Sequence, residues 1–202
     1  LDHATLEYPQ VRAGIILMLD RTHTFEQNSV ILKKAIKYRN GGVVGIDLAG
    51  PQNKSFSMKK HAKLFQTARK ADLGMTIHTG EEGSLEELRF VVKKIRPHRI
   101  GHGVMCVKDP KIMQEMARNK IVLEICPTSN LKNNVVKDVG ELKQIIRTLL
   151  KNRLKFTINT DGPEMYRTNI YEEQEFLRKS GILTSKEVAQ CTKWAFEASF
   201  IK

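Results

Sequence analysis

Short apolar runs recur along the chain at Gly14–Leu19, Val43–Ala49, Met75–His78, Arg99–His102, Ile121–Cys126 and Phe156–Thr160. The longer stretches between them carry apolar residues three and four positions apart. Examples are Leu64, Ala68 and Ala71, then Leu85, Leu88, Val91, Val92 and Ile95, then Leu142, Ile145, Ile146 and Leu149. Compact runs that are apolar on both faces predict buried strands, and recurrence near 3.6 predicts amphipathic helices. Helix starts carry their own signal: Ser84 is followed three residues later by Glu87, and Thr184 by Glu187, the spacing of a capping box. Gly74 reads as a helix stop before the third run. The alternation predicts six strand–helix repeats and a closing helix over Ser185–Phe200.

Strands alternating with helices form a parallel sheet, either open and doubly wound or closed as a (β/α)8 barrel. The turn after the first run, ILMLDRTHTF, has no glycine-rich phosphate loop. Polar residues instead recur at run after run: Asp20 and Arg21, Asp47, His78, His102 and Asp161. An open sheet gathers its site at one switch point, whereas a barrel collects polar groups from many strand ends. The expected fold is therefore a TIM-type α/β barrel with about six of its eight βα units in this chain. No linker or low-complexity stretch divides it, so residues 1–202 are expected to form part of one domain.

Composition narrows the function classes. No apolar run approaches the ~20 residues that span a bilayer, and no secretory pattern opens the chain. Cys106, Cys126 and Cys191 are unclustered and odd in number, which argues against a disulfide framework and fits a reducing cytoplasm. The net charge of +12 sits on helix-like segments such as ILKKAIKYR and SMKKHAKLFQTARK, with aromatics at only 6%. That is a lysine-rich solvated exterior rather than a nucleic-acid surface.

The candidate chemistry lies at the run ends. Alone, His78 reads more readily as a hydrogen-bonded structural residue than as a ligand, and Glu81 as an acid favoured in a first helical turn. Gly80 between them permits a tight turn that returns Glu81 over the strand end. His102 stands between Gly101 and Gly103, which let other groups approach the backbone. Asp161 precedes Gly162–Pro163, a strong turn signal in its own right. Cys126 lacks an obvious base and reads as a small buried apolar residue. His3, His23, His61 and His98 show no ligand spacing and are expected at the surface.

Together these segments resemble the adenosine deaminase family: His78-x-Gly-Glu81, Arg99-Ile-Gly-His102-Gly, Glu124-Ile-Cys-Pro-x-Ser and Asn159-Thr-Asp161, in that order. Ile46-Asp47-Leu-Ala-Gly50 and the terminal Ala198-Ser-Phe200 fit the same family. The resemblance implies a Zn2+-dependent aminohydrolase acting on a small-molecule purine nucleoside. It makes His78 and Asp161 zinc ligands, Glu81 the acid that protonates purine N1, and His102 the group that orients the attacking water. It assigns substrate contacts to Gly50, through its backbone N–H, to Asp47, and to the position held by Gly162.

The chain departs from the family pattern in two places. It contains no His-x-His pair, the family's source of two further zinc ligands, and its first two strand–helix units are expected to be missing. Gly162 stands where the family usually has a second aspartate that contacts purine N7. The expected substrate is therefore adenosine or a relative, with a 5′-substituted adenosine such as aminodeoxyfutalosine, or an adenine nucleotide, as alternatives. A non-catalytic purine-binding fragment is the rival from another class, and exposed sheet edges make self-association an expectation for the chain alone.

Overall fold

The computed structural model describes residues 6–51, 53, 55–82 and 84–201. Six parallel strands follow one another in sequence order: β1 (Ile15–Asp20), β2 (Val43–Ala49), β3 (Gly74–Thr79), β4 (Arg99–His102), β5 (Val122–Ile125) and β6 (Phe156–Ile158). Helices connect them: α1 (Phe25–Lys37), α2 (Met58–Lys70), α3 (Leu85–Phe90), α4 (Pro110–Arg118), α5 (Pro127–Lys132) and α6 (Val139–Lys151). After β6 come α7 (Pro163–Tyr166), α8 (Ile170–Lys179) and α9 (Ser185–Ala198). The chain divides into two compact units, Leu1–Ile77 with Ser199–Lys202, and His78–Ala198.

In the first unit β1 and β2 run in register from Ile16↔Gly45 to Asp20↔Ala49. The inner face of α2 is a stripe of Met58, His61, Leu64, Phe65 and Ala68. His61 is only 4% exposed, so it is a core residue and not the surface one its spacing suggested. It stacks on Phe56 at 4.3 Å and meets Phe25 edge-on at 5.6 Å, so its ring serves as part of the aromatic packing. His23 and His98 are exposed as expected, and His3 lies outside the described residues.

Gly74 does not stop a helix. Asp72, at φ 55°, makes the reversal after α2, and Gly74 opens β3 paired with Gly45. A Cβ on Gly74 would lie 2.2–2.6 Å from the Phe200 ring, and one on Gly45 2.9 Å from it. The two glycines thus form a flat seat for the last aromatic of the chain, a constraint that no local pattern could display.

In the second unit β4, β5 and β6 align through Ile100↔Leu123 and Leu123↔Phe156. Leu88, Val91, Val92 and Ile95 face inward from α3 and the π turn Val91–Ile95 that extends it. Leu142, Ile145, Ile146 and Leu149 do so from α6, as their spacing predicts. The Thr184–Glu187 capping box is complete, with each residue bonding the other's backbone N–H. At Ser84 the hydroxyl caps the amides of Glu86 and Glu87, but the Glu87 carboxylate accepts from the Thr79 hydroxyl at 3.0 Å. That box is therefore half made, and its acid anchors the end of β3.

Candidate active site

Four of the residues singled out from the sequence converge in the second unit: His78, Glu81, His102 and Asp161. The ligating atoms of His78, His102 and Asp161 all lie within 4.8 Å of one another. His102 Nε2 is 3.5 Å from Glu81 Oε2 and 3.9 Å from Asp161 Oδ2. The His78 and His102 rings meet edge to face, with centroids 5.3 Å apart. Asp47 and Gly50 belong to the first unit, in β2 and directly after it; Gly50 adopts φ 96°, a conformation open to glycine.

The glycines around these residues make room for them. A Cβ on Gly101 would fall 2.8–2.9 Å from three atoms of the His78 ring, so only glycine lets that imidazole lie across β4. A Cβ on Gly103 would meet Leu123 at 2.4 Å. His102 and Asp161 themselves sit at φ 57° and 61°. Left-handed backbone is uncommon for residues with a Cβ, although His and Asp tolerate it better than most. Both side chains are therefore aimed by a sharp reversal at the residue that carries them.

Burial, and then the nearby Asp161 carboxylate, push the Glu81 carboxyl above its ordinary range, against an opposing pull from His78. The Asp161 carboxylate accepts a 2.6 Å hydrogen bond from the Ser129 hydroxyl. His102 is 2% exposed, and its Nδ1 lies 2.9 Å from Asn130 Nδ2. Between β4 and β5, the half-buried side chains of Arg99 and Glu124 form an ion pair at 2.8 Å.

The segment that follows Asp161 is tied down independently. Glu173, 1% exposed, accepts from the Thr128 amide at 3.1 Å and the Thr168 hydroxyl at 2.8 Å. Lys132 and Asn133 donate to the backbone oxygen and hydroxyl of Tyr166, each at 2.7 Å. Gly162, at the head of this segment, has ordinary backbone, and a Cβ there would come closest to the end of the exposed Met165 side chain, at 3.0 Å. The Cys126 thiol is buried, and burial raises its pKa first, with nearby carboxylates adding to the effect, so it is inert as a nucleophile, as expected.

Sequence reasoning missed Asn130 and Glu173. Both partner residues distant in the sequence, His102 and Thr128, so no local spacing marks them. The signal available was weak: an asparagine directly after Ser129 in a segment that already ends a strand.

The adenosine deaminase family pattern matches residues 2–202. The chain belongs to the adenosine deaminase family. It is 33% identical over 190 residues to an adenosine deaminase of Clostridium kluyveri, covering 94% of this chain and 54% of that protein. It is 30% identical over 202 residues to an adenine deaminase of Rhizobium meliloti, covering 98% and 61% respectively. The crystal structure of an N6-mAMP deaminase from Arabidopsis superposes with a TM-score of 0.82 at 26% identity, over 94% of this chain and 55% of that one. The chain thus spans little more than half the length of these relatives, and its α/β fold is of the TIM-barrel type. Among the described residues no helix is long and apolar enough to cross a membrane.

Proposed function

We propose that this chain carries the proton-transfer apparatus of a hydrolytic deaminase that converts adenosine, or a related 6-aminopurine nucleoside, to the 6-oxo compound and ammonia. The observation that carries the reading is the approach of His102 Nε2 to Glu81 and Asp161, with the Glu81 carboxyl pushed up by burial. Adding water across C6 of an aromatic purine is costly unless ring N1 gains a proton in the same step. A carboxylic acid kept neutral by its surroundings can supply that proton, and the burial that pushes the Glu81 carboxyl up supports giving it that role. His102 holds the attacking water in line. Gly50, through its backbone N–H, and Asp47 are assigned to the purine.

The donor set suits zinc: imidazole and carboxylate are among its ordinary ligands, and His78 and Asp161 bring one of each within 4.8 Å. When bound, zinc lowers the pKa of water to ~7 and so provides hydroxide at neutral pH. Ser129 and the turn at Asp161 orient one ligand, and Gly101 makes room for the other. Two protein ligands are fewer than the usual three of a catalytic zinc site, so affinity in the chain alone is expected to be weak.

Gly162 favours a second reading within the same chemistry. Without an aspartate at that position, purine N7 must find water or another donor, and recognition moves toward the sugar and its 5′ substituent. The segment that carries Glu164 in α7, then Arg167 and Asn169, follows Gly162 directly, and Arg167 is exposed. The relatives above are named for a nucleoside, a free base and a nucleotide, which brackets the choice.

The test is ammonia release by the zinc-loaded, full-length gene product on adenosine, adenine, adenosine monophosphate and 5′-substituted adenosines. We expect turnover of a nucleoside or nucleotide, with Gly162→Asp shifting preference toward plain adenosine. No release from any of them would reject the deaminase reading. A ranking that the aspartate leaves unchanged would reject the role given to Gly162.

A further inference from the structure

A neutral imidazole carries one N–H, and the group facing its other nitrogen decides where that proton sits. His102 is buried, and both of its nitrogens have defined neighbours. Nδ1 lies 2.9 Å from the side-chain nitrogen of Asn130, which is itself fully buried. Nε2 faces two carboxyl groups, Glu81 at 3.5 Å and Asp161 at 3.9 Å.

We infer that Asn130 is a positioning residue that fixes the tautomer of His102: its amide donates to Nδ1 and thereby holds the imidazole proton on Nε2, facing the reacting groups. The two sides of the ring agree. A lone pair on Nε2 directed at the Asp161 carboxylate would be repelled by it, whereas an N–H is attracted. With the proton on Nε2, Nδ1 is an acceptor, and only the amino end of Asn130 satisfies it. The amide oxygen of Asn130 is buried with no hydrogen-bond partner, so the residue forgoes one bond to make this one. An unsatisfied buried carbonyl is costly, and such a cost persists where the surrounding packing imposes the orientation. Asn130 sits in α5, one residue after Ser129, whose hydroxyl holds Asp161. One helical turn therefore orients a carboxylate with one residue and sets a proton with the next.

The chemical consequence is a division of labour among the three clustered groups. Nε2–H leaves His102 without a lone pair toward the cluster, so it acts as a hydrogen-bond donor to water and carboxylate and not as a metal ligand. His78 and Asp161 are then the ligands. This deepens the deaminase reading and rests on it for the role of the proton, but the tautomer itself is measurable without substrate or metal.

The experiment is nitrogen NMR of the histidine rings in the zinc-free chain at about pH 8.5, roughly two units above the ordinary histidine pKa. His102→Gln identifies the His102 resonances by their loss. We expect a single tautomer with the proton on Nε2. Asn130→Ala removes the donor and should give a mixture of tautomers, or exchange-broadened ring signals. Asn130→Asp, nearly isosteric, replaces the donor by an acceptor and should move the proton to Nδ1. A proton on Nδ1 in the unaltered chain would overturn the inference. So would an unchanged Nε2–H tautomer in either Asn130 variant, which would credit the carboxylates alone. Because nothing is turned over in this measurement, failure of the deaminase reading would leave its outcome intact.

Discussion

The two units of this chain are built from the same strand–helix repeats, yet they treat the polar residues at their strand ends in opposite ways. In the first, Asp20 is consumed locally. Its carboxylate accepts from the amide and hydroxyl of Thr22, both at 2.7 Å, and its backbone is gripped on both sides by the Asn28 side chain at 2.9 Å. These bonds hold the Asp20 carboxyl below its ordinary range. In the second unit the strand-end groups are aimed at one another. Glu81, His102 and Asp161 stand within 4 Å contacts, and the Glu81 carboxyl is pushed up. A strand-end acid that finds nearby donors is a structural fastener; one denied them and crowded by another acid is available for chemistry.

Substitutions can break or sharpen that contrast. The largest expected effect is from Glu81→Gln in the full-length protein. Turnover should fall by roughly 10²–10⁴-fold, the usual worth of general acid catalysis, with bound zinc unchanged. Asp20→Asn, its counterpart in the first unit, should leave the rate per folded molecule intact. If both variants lose turnover equally, the contrast fails. Gly101→Ala comes next, because its methyl must displace the His78 ring from 2.8–2.9 Å. Zinc affinity by competitive chelator titration should drop ~10–100-fold, the range seen when the support of a ligand is lost.

Gly74→Ala, in the first unit, strikes the Phe200 ring and should cost stability instead, about 1–3 kcal/mol in a denaturation midpoint, with zinc affinity preserved. Smallest is Glu187→Gln. Glu187 pairs with Arg147 and caps Thr184, and the Arg147 bond chiefly holds its carboxyl below the ordinary range. Its contribution is present above the unfolded carboxylate pKa and is lost as pH falls through the depressed folded value. At neutral pH the exposed pair is worth at most ~1 kcal/mol, so the difference between variant and parent should shrink toward zero in acid.

Much of this was readable in the sequence. β2 and β4 have the bounds that their apolar runs suggest, and the other strands differ by one or two residues at an end. His78, Glu81, His102 and Asp161 were marked by adjoining glycines at strand ends, and they do converge. What escaped depends on distant partners. Gly74 looked like local punctuation but exists to admit Phe200. His61 looked polar and solvated, yet it occupies a core position in the stripe Met58, His61, Leu64, Phe65 and Ala68, where aromatic neighbours accept its ring. Asn130 reads as one more polar loop residue until the fold brings it against a histidine 28 positions away.

The left-handed backbone at Asp161 sets stability and usefulness at odds. A residue with a Cβ at φ 61° costs of order 1 kcal/mol relative to glycine, and this side chain is 31% exposed, so little packing is lost with it. A breeder selecting only for heat tolerance would therefore be drawn to Asp161→Gly, a variant sturdier than its parent and stripped of the carboxylate proposed to bind metal. Random improvement of this protein needs a screen that rewards turnover at every round, because its most tempting stabilising change lies inside the proposed site.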